Sequence, residues 1–483
     1  MTKPFSNTEW VKSLQPKRLN VLDLKDTQRV YLPTTFLSQH VSARNEDPII
    51  AKLVHQFLKL NKAHFTKLDI EAQLSYSGDN IKLNIKSNSK IGAIPLRSPI
   101  TYKPEYSLVV KPRFGWNGVG PILSKTGFRY LPNILDLPQL RISESHIPPW
   151  VLSTVVLSRI DQLLKNIDRR FEMTNQYQPI PKGSVDWNDY AQKQVPTANF
   201  LNFNCTYSDL HDNRLVKSFI KFTLIRQKQS LETQRDFGLF VLQLIDYCET
   251  LLQKVSGITP TKPTPLQLNA LLNKSFESDL ITRGFEAIEW TTEEKGLAGL
   301  GDLHGLPWAM NMEDLFESYL ESIINKISKR IGGNLLTGRL RETIIPIDWD
   351  PPLIGSQRYL LPDLLFSRND HLFIVDAKYK DHWEDLNIKS WNNLEDLVKE
   401  RHRNDLLQIL AYTAGVKQNN ISCCLVYPCK KETWNSLLDR KRHIHTAEIN
   451  RGNKRIRLYL TAVPFELDEK DIEELLPIFL NQN

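Results

Sequence analysis

Apolar residues at Val151, Val155, Leu157, Ile160, Leu163, Leu164 and Ile167 recur three and four apart, which predicts an amphipathic helix over 150–173. Pro148 and Pro149 stand at its start, where proline suits the first turn. Arg169 and Arg170 fall in its last turns, where cations suit the negative end of the helix dipole; a solvated helix end is preferred there over a DNA contact. A largely helical stretch is expected over 213–254, broken by the proline- and threonine-rich SGITPTKPTP at 256–265. Over 312–331 a further helix places Leu315, Phe316, Tyr319, Ile323, Ile324 and Ile327 on one face. The last, over 398–416, spaces Asn404, Gln408 and Tyr412 four apart, with Gly415 suited to its end.

Other segments alternate or run apolar. IKLNIKSN (81–88) and YSLVVKPRF (106–114) read as strands, and GWNGVGP (115–121) reads as a turn. That turn lacks the Lys-Ser/Thr ending of a phosphate loop. PIPKGSVDWNDY (179–190) reads as a linker with a short ordered element, and GLAGLGDLHG (296–305) as a flexible loop near the last domain boundary. RYLLPDLLFS (358–367), HLFIVDAKYK (371–380), ISCCLVYP (421–428) and RIRLYLTAVPF (455–465) are expected strands. The expected architecture is α+β overall: a β-rich N-terminal module over 1–146, a mainly helical middle over 147–300, and a C-terminal α/β domain with a mixed sheet over 301–483. A chain of 483 residues is too long for one core.

The two segments before and after Arg368-Asn369-Asp370 carry the chemistry. If Asn369 and Asp370 are the turn residues of a hairpin, Asp363 lies directly opposite Asp376. Alternation along the strand puts Lys378 on the face of Asp376, and a slip of one residue would separate the three. Asp376 ends an apolar run from Leu372 to Val375, and Asp363 follows Leu360, Leu361 and Pro362. Charges embedded in such runs call for a reason. Two facing carboxylates repel and are costly to bury unless a cation sits between them, and a hard divalent ion takes oxygen ligands. The competing reading is a surface Asp–Lys ion pair. Gln408 is a polar residue in an apolar helix, suited either to orienting a water or metal ligand or to satisfying a backbone group.

Composition adds modest constraints. The net charge of +7 and pI of about 8.9 suit a phosphate-bearing partner only mildly. Lys399, Arg401 and Arg403, then Arg440, Lys441 and Arg442, then Arg451, Lys454, Arg455 and Arg457 are candidates for a phosphate track or for solvated loops. His402, His443 and His445 lack zinc-site spacing. The five cysteines form no paired CxxC knuckles; Cys423, Cys424 and Cys429 are read as buried thiols in preference to a metal site. No signal peptide or membrane-spanning run is visible, and a cytoplasmic protein is expected.

Pro362-Asp363, then Asp376-Ala377-Lys378, with a glutamate on the preceding helix and a trailing Gln408-x-x-x-Tyr412, resembles the PD-(D/E)XK nuclease superfamily. The resemblance implies a catalytic core of Asp363, Asp376 and Lys378 and a metal bound by Asp363, Asp376 and a helical glutamate. Glu317 matches best, with Glu313 and Glu321 one turn to either side. The Gln408 helix is similar to an accessory glutamine motif. The implied cofactor is Mg²⁺, with Mn²⁺ as an alternative. The likeness is closer to McrC-like nuclease subunits of modification-dependent restriction systems. It extends to Lys182-Gly183-Ser184-Val185-Asp186-Trp187, to Asn204-Cys205, Ser208-Asp209 and Asp212 to Lys217, and to Trp308 to Leu320. It covers about 180–465 and does not extend to residues 1–146. It implies DNA as substrate, a separate AAA+ NTPase partner (McrB-like GTPase or ATPase), and no membrane. The chain has no Walker motif. Alternatives are a catalytically silent adaptor with a nuclease-like fold, or a nuclease of repair or of RNA.

Overall fold

The computed structural model describes residues 20–34, 37, 48–77, 80–138, 140–141, 147–167, 171–210, 213–273, 278–297, 304–380, 383, 393, 395–451 and 454–480. Arg169, Arg170, Asp212 and residues 298–303 lie outside them. The fold is mixed α/β and forms two compact units, Met1–Pro148 with Gly296–Asn483, and Pro149–Lys295.

In the first unit, β1 (Asn20–Lys25), β2 (Lys90–Arg97) and β3 (Pro104–Lys111) belong to a five-stranded sheet. β1 runs parallel to β3, and β2 antiparallel to it. A strand from far along the chain, β4 (Trp308–Asn311), pairs with β2, so N-terminal and C-terminal segments share one sheet. Gly92 on β2 permits this pairing. Its φ is +152°, and a Cβ there would lie 2.1 Å from the Trp308 carbonyl oxygen. The β-rich reading of the N-terminal third is incomplete, because Pro48–Lys67 forms a helix burying Ile50, Val54, Phe57 and Phe65.

GWNGVGP is a correction: it opens a helix, α1 (Gly115–Lys125). Gly118, Val119, Ile122 and Leu123 fall three and four apart and are buried. A Cβ on Gly118 would come 2.9 Å from Phe465 Cβ, so glycine there serves close packing rather than a turn. The loop reading of 296–305 also changes, since Gly296–Leu297 and His304–Leu306 are paired strands.

The C-terminal half of this unit is built on a six-stranded sheet. β5 (Asn334–Thr337), β6 (Leu364–Arg368), β7 (His371–Ala377), β8 (Asn420–Cys429), β9 (Ile444–Arg451) and β10 (Lys454–Pro464) lie in the order β5-β6-β7-β8-β10-β9. β7, β8 and β10 are parallel to one another, and the remaining pairs are antiparallel. β7 and β8 are buried along almost their whole length, as near-continuous apolar central strands should be. Helix α2 (Met312–Ile331) buries Leu315, Phe316, Tyr319, Ile323, Ile324 and Ile327, the face read from the sequence. Phe316 stacks on Phe465, at the end of β10, with ring centroids 6.0 Å apart.

The second unit packs the helices Trp150–Ile167, Arg214–Glu232, Leu239–Lys254 and Asp279–Thr292 with a small antiparallel sheet of Phe171–Gln178, Phe203–Leu210 and Ser184–Val185. The first helix stops at Ile167, short of the expected 173, because Phe171–Gln178 alternates residues and pairs with Phe203–Leu210. No helix among the described residues is long and apolar enough to cross a membrane.

Candidate active site

The hairpin of β6 and β7 turns at Asn369 and Asp370, with Asn369 in the left-handed region at φ 52°. Its register is the expected one: Leu364 faces Val375 and Phe366 faces Phe373. Asp363 is the residue before β6, and Asp376 lies near the end of β7. Instead of merely facing Asp376, the Asp363 carboxylate reaches along the strand and accepts a 2.7 Å hydrogen bond from the Ala377 backbone N–H. Its own backbone is clamped. The Asp363 carbonyl accepts from the Gly338 N–H at 2.7 Å, and the Pro362 carbonyl accepts from Thr343 Oγ1 at 2.6 Å. A Cβ on Gly338 would stand 2.6 Å from the Pro362 oxygen, so only glycine lets the loop approach this closely.

Asp376 is 1% exposed. Lys378 Nζ lies 2.5 Å from Asp376 Oδ2 as an ion pair, yet neither Asp376 oxygen accepts a well-aligned hydrogen bond among the described residues. Burial pushes the Asp376 carboxyl above its ordinary range against the pull of Lys378. Burial, then Asp376 and then Glu317 hold Asp363 well above its ordinary value. Glu317, on α2, is pushed up to about 7 by burial and by its acidic neighbours Asp314, Glu313 and Asp376. Burial works against the Lys378 ammonium, but Asp376 more than offsets it and the pKa is raised. Three carboxylates and one ammonium thus sense each other electrostatically at the carboxyl end of β7.

The three candidate glutamates differ in what they do. Glu321 is held by Arg339, whose Nε and Nη2 donate at 3.2 and 3.0 Å. Glu313 is exposed and accepts from Ser89 Oγ at 3.3 Å. Glu317 is the one that burial raises, with Asp376 among the charges that add to the rise, and it in turn helps to raise Asp363.

Gln408 lies on α3 (Asp396–Ala414). Lys378 Nζ donates to its Oε1 at 2.9 Å, and its Nε2 donates to the Tyr412 hydroxyl at 2.8 Å. Its partners are side chains rather than a backbone group, which sets aside the backbone-satisfying role read from the sequence. The expected apolar surround is also corrected. Gln408 and Leu407 are exposed, while His402, Asp405, Ile409 and Tyr412 form the buried face.

Sequence reasoning missed Asp405, which is buried and accepts hydrogen bonds from Lys380 Nζ and, at 3.1 Å, from the Tyr427 hydroxyl. Its position three residues before Gln408 in a Leu- and Ile-rich helix was the available signal. The cysteines are buried free thiols, as read. The candidate phosphate track is partly engaged within the protein. Lys454 Nζ donates to the Thr413 and Val416 carbonyls at 2.8 Å, and Arg455 and Arg457 pair with Glu448.

Two carboxylates beside an ammonium can hold a hard cation and a phosphate oxygen in one place. Among the described residues, no three Asp, Glu, His or Cys side chains converge closely enough to form a ready-made metal cage. Mg²⁺ does not require one, because it keeps several waters and binds through one or two carboxylates. The buried, poorly hydrogen-bonded Asp376 and its neighbour Asp363 fit that donor set.

Residues 292–428 match the family described as McrBC 5-methylcytosine restriction system component. This segment runs from the last residue of the Asp279–Thr292 helix through β4, α2, the β6–β7 hairpin and α3 into β8. No curated protein matches the chain. A chain of the refined half-complex from the tetradecameric assembly of Thermococcus gammatolerans McrB AAA+ hexamers with bound McrC is similar at 13% identity, with a TM-score of 0.44, over 96% of this chain and 100% of that one. A chain of the Thermococcus gammatolerans McrBC complex solved by cryo-EM is similar at 13% identity, with a TM-score of 0.26, over 64% of this chain and 88% of that one.

Proposed function

We propose that this chain is the nuclease subunit of a restriction or anti-phage defence complex, a Mg²⁺-dependent DNA endonuclease controlled by an AAA+ NTPase partner. The observation that carries this reading is the buried Asp376 carboxylate, ion-paired with Lys378, next to Asp363 at the carboxyl end of β7. The family match over 292–428 includes all three residues and Glu317. McrB AAA+ hexamers bind McrC in the similar assembly, and a partner of that kind belongs to the proposal.

Asp363 and Asp376 would hold Mg²⁺, with Glu317 placed to reach it through one of its waters and Mn²⁺ as the substitute ion. When bound, the ion would polarise the scissile phosphate and lower the pKa of a water. The clamp from Ala377 and Gly338 orients the Asp363 carboxylate before any ligand arrives. Lys378 Nζ, steered by Asp376 and Gln408, donates to a phosphate oxygen as negative charge grows on it. Gln408 is itself steadied by Tyr412.

The test is plasmid cleavage by wild-type protein and Asp376→Ala, with Mg²⁺ or EDTA, each with and without the product of any neighbouring AAA+ NTPase gene. Cleavage is expected from the wild type with Mg²⁺ and partner, and not from the variant. Equal cleavage by both proteins refutes the reading. Wild-type binding of DNA without cleavage, partner present, would make the chain a silent adaptor; cleavage of RNA alone would reassign the substrate.

A further inference from the structure

The chain immediately after Lys378 is gripped by two residues more than 260 positions away. Asp26, in the turn after β1, is 2% exposed and accepts a 2.5 Å hydrogen bond from the Tyr379 hydroxyl. Arg113, just past β3, donates its backbone N–H to the other Asp26 oxygen. Its Nη2 donates to the Lys380 carbonyl at 3.0 Å, and its Nη1 to Thr27 Oγ1 at 2.8 Å. The same guanidinium lies 4.5 Å from the centre of the Tyr379 ring. Side chain 379 and backbone 380 are therefore both fixed from the N-terminal part of the unit.

The position of this grip matters. The pairing of β7 with β8 ends at Ala377 opposite Val426, and the last link is the Lys378 N–H to the Val426 carbonyl at 2.9 Å. Beyond it the segment leaves the sheet; the Tyr379 ring packs against Phe114, Phe316 and Phe465, and side-chain hydrogen bonds hold the segment from Asp26 and Arg113 on one side and from Asp405, through Lys380, on the other. Tyr379 follows Lys378 directly, so a rotation of the backbone between them swings Nζ away from Asp376 and Gln408. A buried carboxylate that accepts from a buried hydroxyl and from the Arg113 backbone N–H, with the guanidinium Nε 3.8 Å away, resists such rotation, because loosening it leaves Asp26 desolvated and short of a partner.

We propose that Asp26, Arg113 and Tyr379 are positioning residues that set Lys378 Nζ between Asp376 and Gln408. The role of Lys378 rests on the nuclease reading above; the positioning of its ammonium does not.

The experiment uses the full chain with its NTPase partner and compares wild type, Tyr379→Phe, Asp26→Ala and Asp26→Asn. Asparagine keeps an oxygen able to accept from the Arg113 N–H, and its amide N–H can donate to the Tyr379 hydroxyl. Plasmid cleavage gives kcat and KM for DNA. Amine acylation followed by mass spectrometry gives the labelling rate of Lys378 relative to the exposed Lys326 in the same sample. The expected result is a kcat at least about 10-fold lower for Tyr379→Phe and Asp26→Ala with KM within about 2-fold, and recovery to within about 3-fold in Asp26→Asn. Lys378 labelling should rise at least about 3-fold in the two damaging variants, as expected for an ammonium released from a buried ion pair. Unchanged kcat in both damaging variants, or kcat loss that follows melting temperature with KM moving in parallel, overturns the proposal. So does unchanged Lys378 labelling. If the wild type cleaves nothing, the nuclease reading fails and the labelling rates alone decide the positioning role.

Discussion

Replacing Glu317 by glutamine should make the metal-free protein more stable while disabling it. Glu317 rises from the ordinary 4.5 to about 7, first through burial and then through Asp314, Glu313 and Asp376. A carboxyl whose folded pKa is raised binds its proton more tightly in the native state. Its ionisation therefore weakens the fold as pH climbs from about 4.5 to about 7, and the full penalty remains above that range. At about 1.4 kcal/mol per tenfold change in proton affinity, the rise from 4.5 to about 7 sets an upper limit of about 3.5 kcal/mol. Glu317 is only partly buried, and Asp314 and Glu313 are exposed, so solvent and salt screen much of this; about 1–2 kcal/mol should survive. Glutamine keeps the shape and removes the charge. Thermal unfolding in EDTA at pH 8 should show the Glu317→Gln transition about 2–5 °C above wild type, shrinking towards zero at pH 4.5. Mg²⁺ should narrow the gap at pH 8 by stabilising the wild type more. Equal melting temperatures at pH 8 in EDTA, or a difference that does not change with pH, would refute the reasoning.

Lys378→Ala should lower cleavage about 100-fold and, by leaving Asp376 buried without its cation, reduce unfolding free energy in EDTA by about 3 kcal/mol; denaturant titration with and without Mg²⁺ checks both. Gly338→Ala forces a Cβ against the Pro362 oxygen and should cost about 1–3 kcal/mol, with loss of cleavage because the Asp363 loop is displaced; urea unfolding beside the plasmid assay measures it. Gln408→Ala, at an exposed helix position, should leave the melting temperature nearly unchanged while slowing cleavage about 10-fold, and an equal loss of both would contradict its placement beside Lys378.

The sequence by itself determined the features that depend on short-range patterning. The α2 face, the apolar runs of β7 and β8, and the turn at Asn369-Asp370 follow from periods of 3.6 and 2 and from turn chemistry, and these placed Asp363 and Asp376 together with Lys378 on a shared face. The same local rules misread GWNGVGP, because three glycines signal a turn locally while their small size serves packing of Gly118 on Phe465. They also misread α3, where an exposed Leu407 and a buried Asp405 invert the usual preference. The tertiary structure alone separated the three glutamates that spacing leaves equivalent: Arg339 occupies Glu321, solvent reaches Glu313, and burial raises Glu317. It alone also paired β4 with β2 and brought Asp26 to Tyr379 across 353 positions. Contacts at such separation leave no periodic trace in either segment. They arise when two surfaces close around shared buried charge, and the chain carries only the charges.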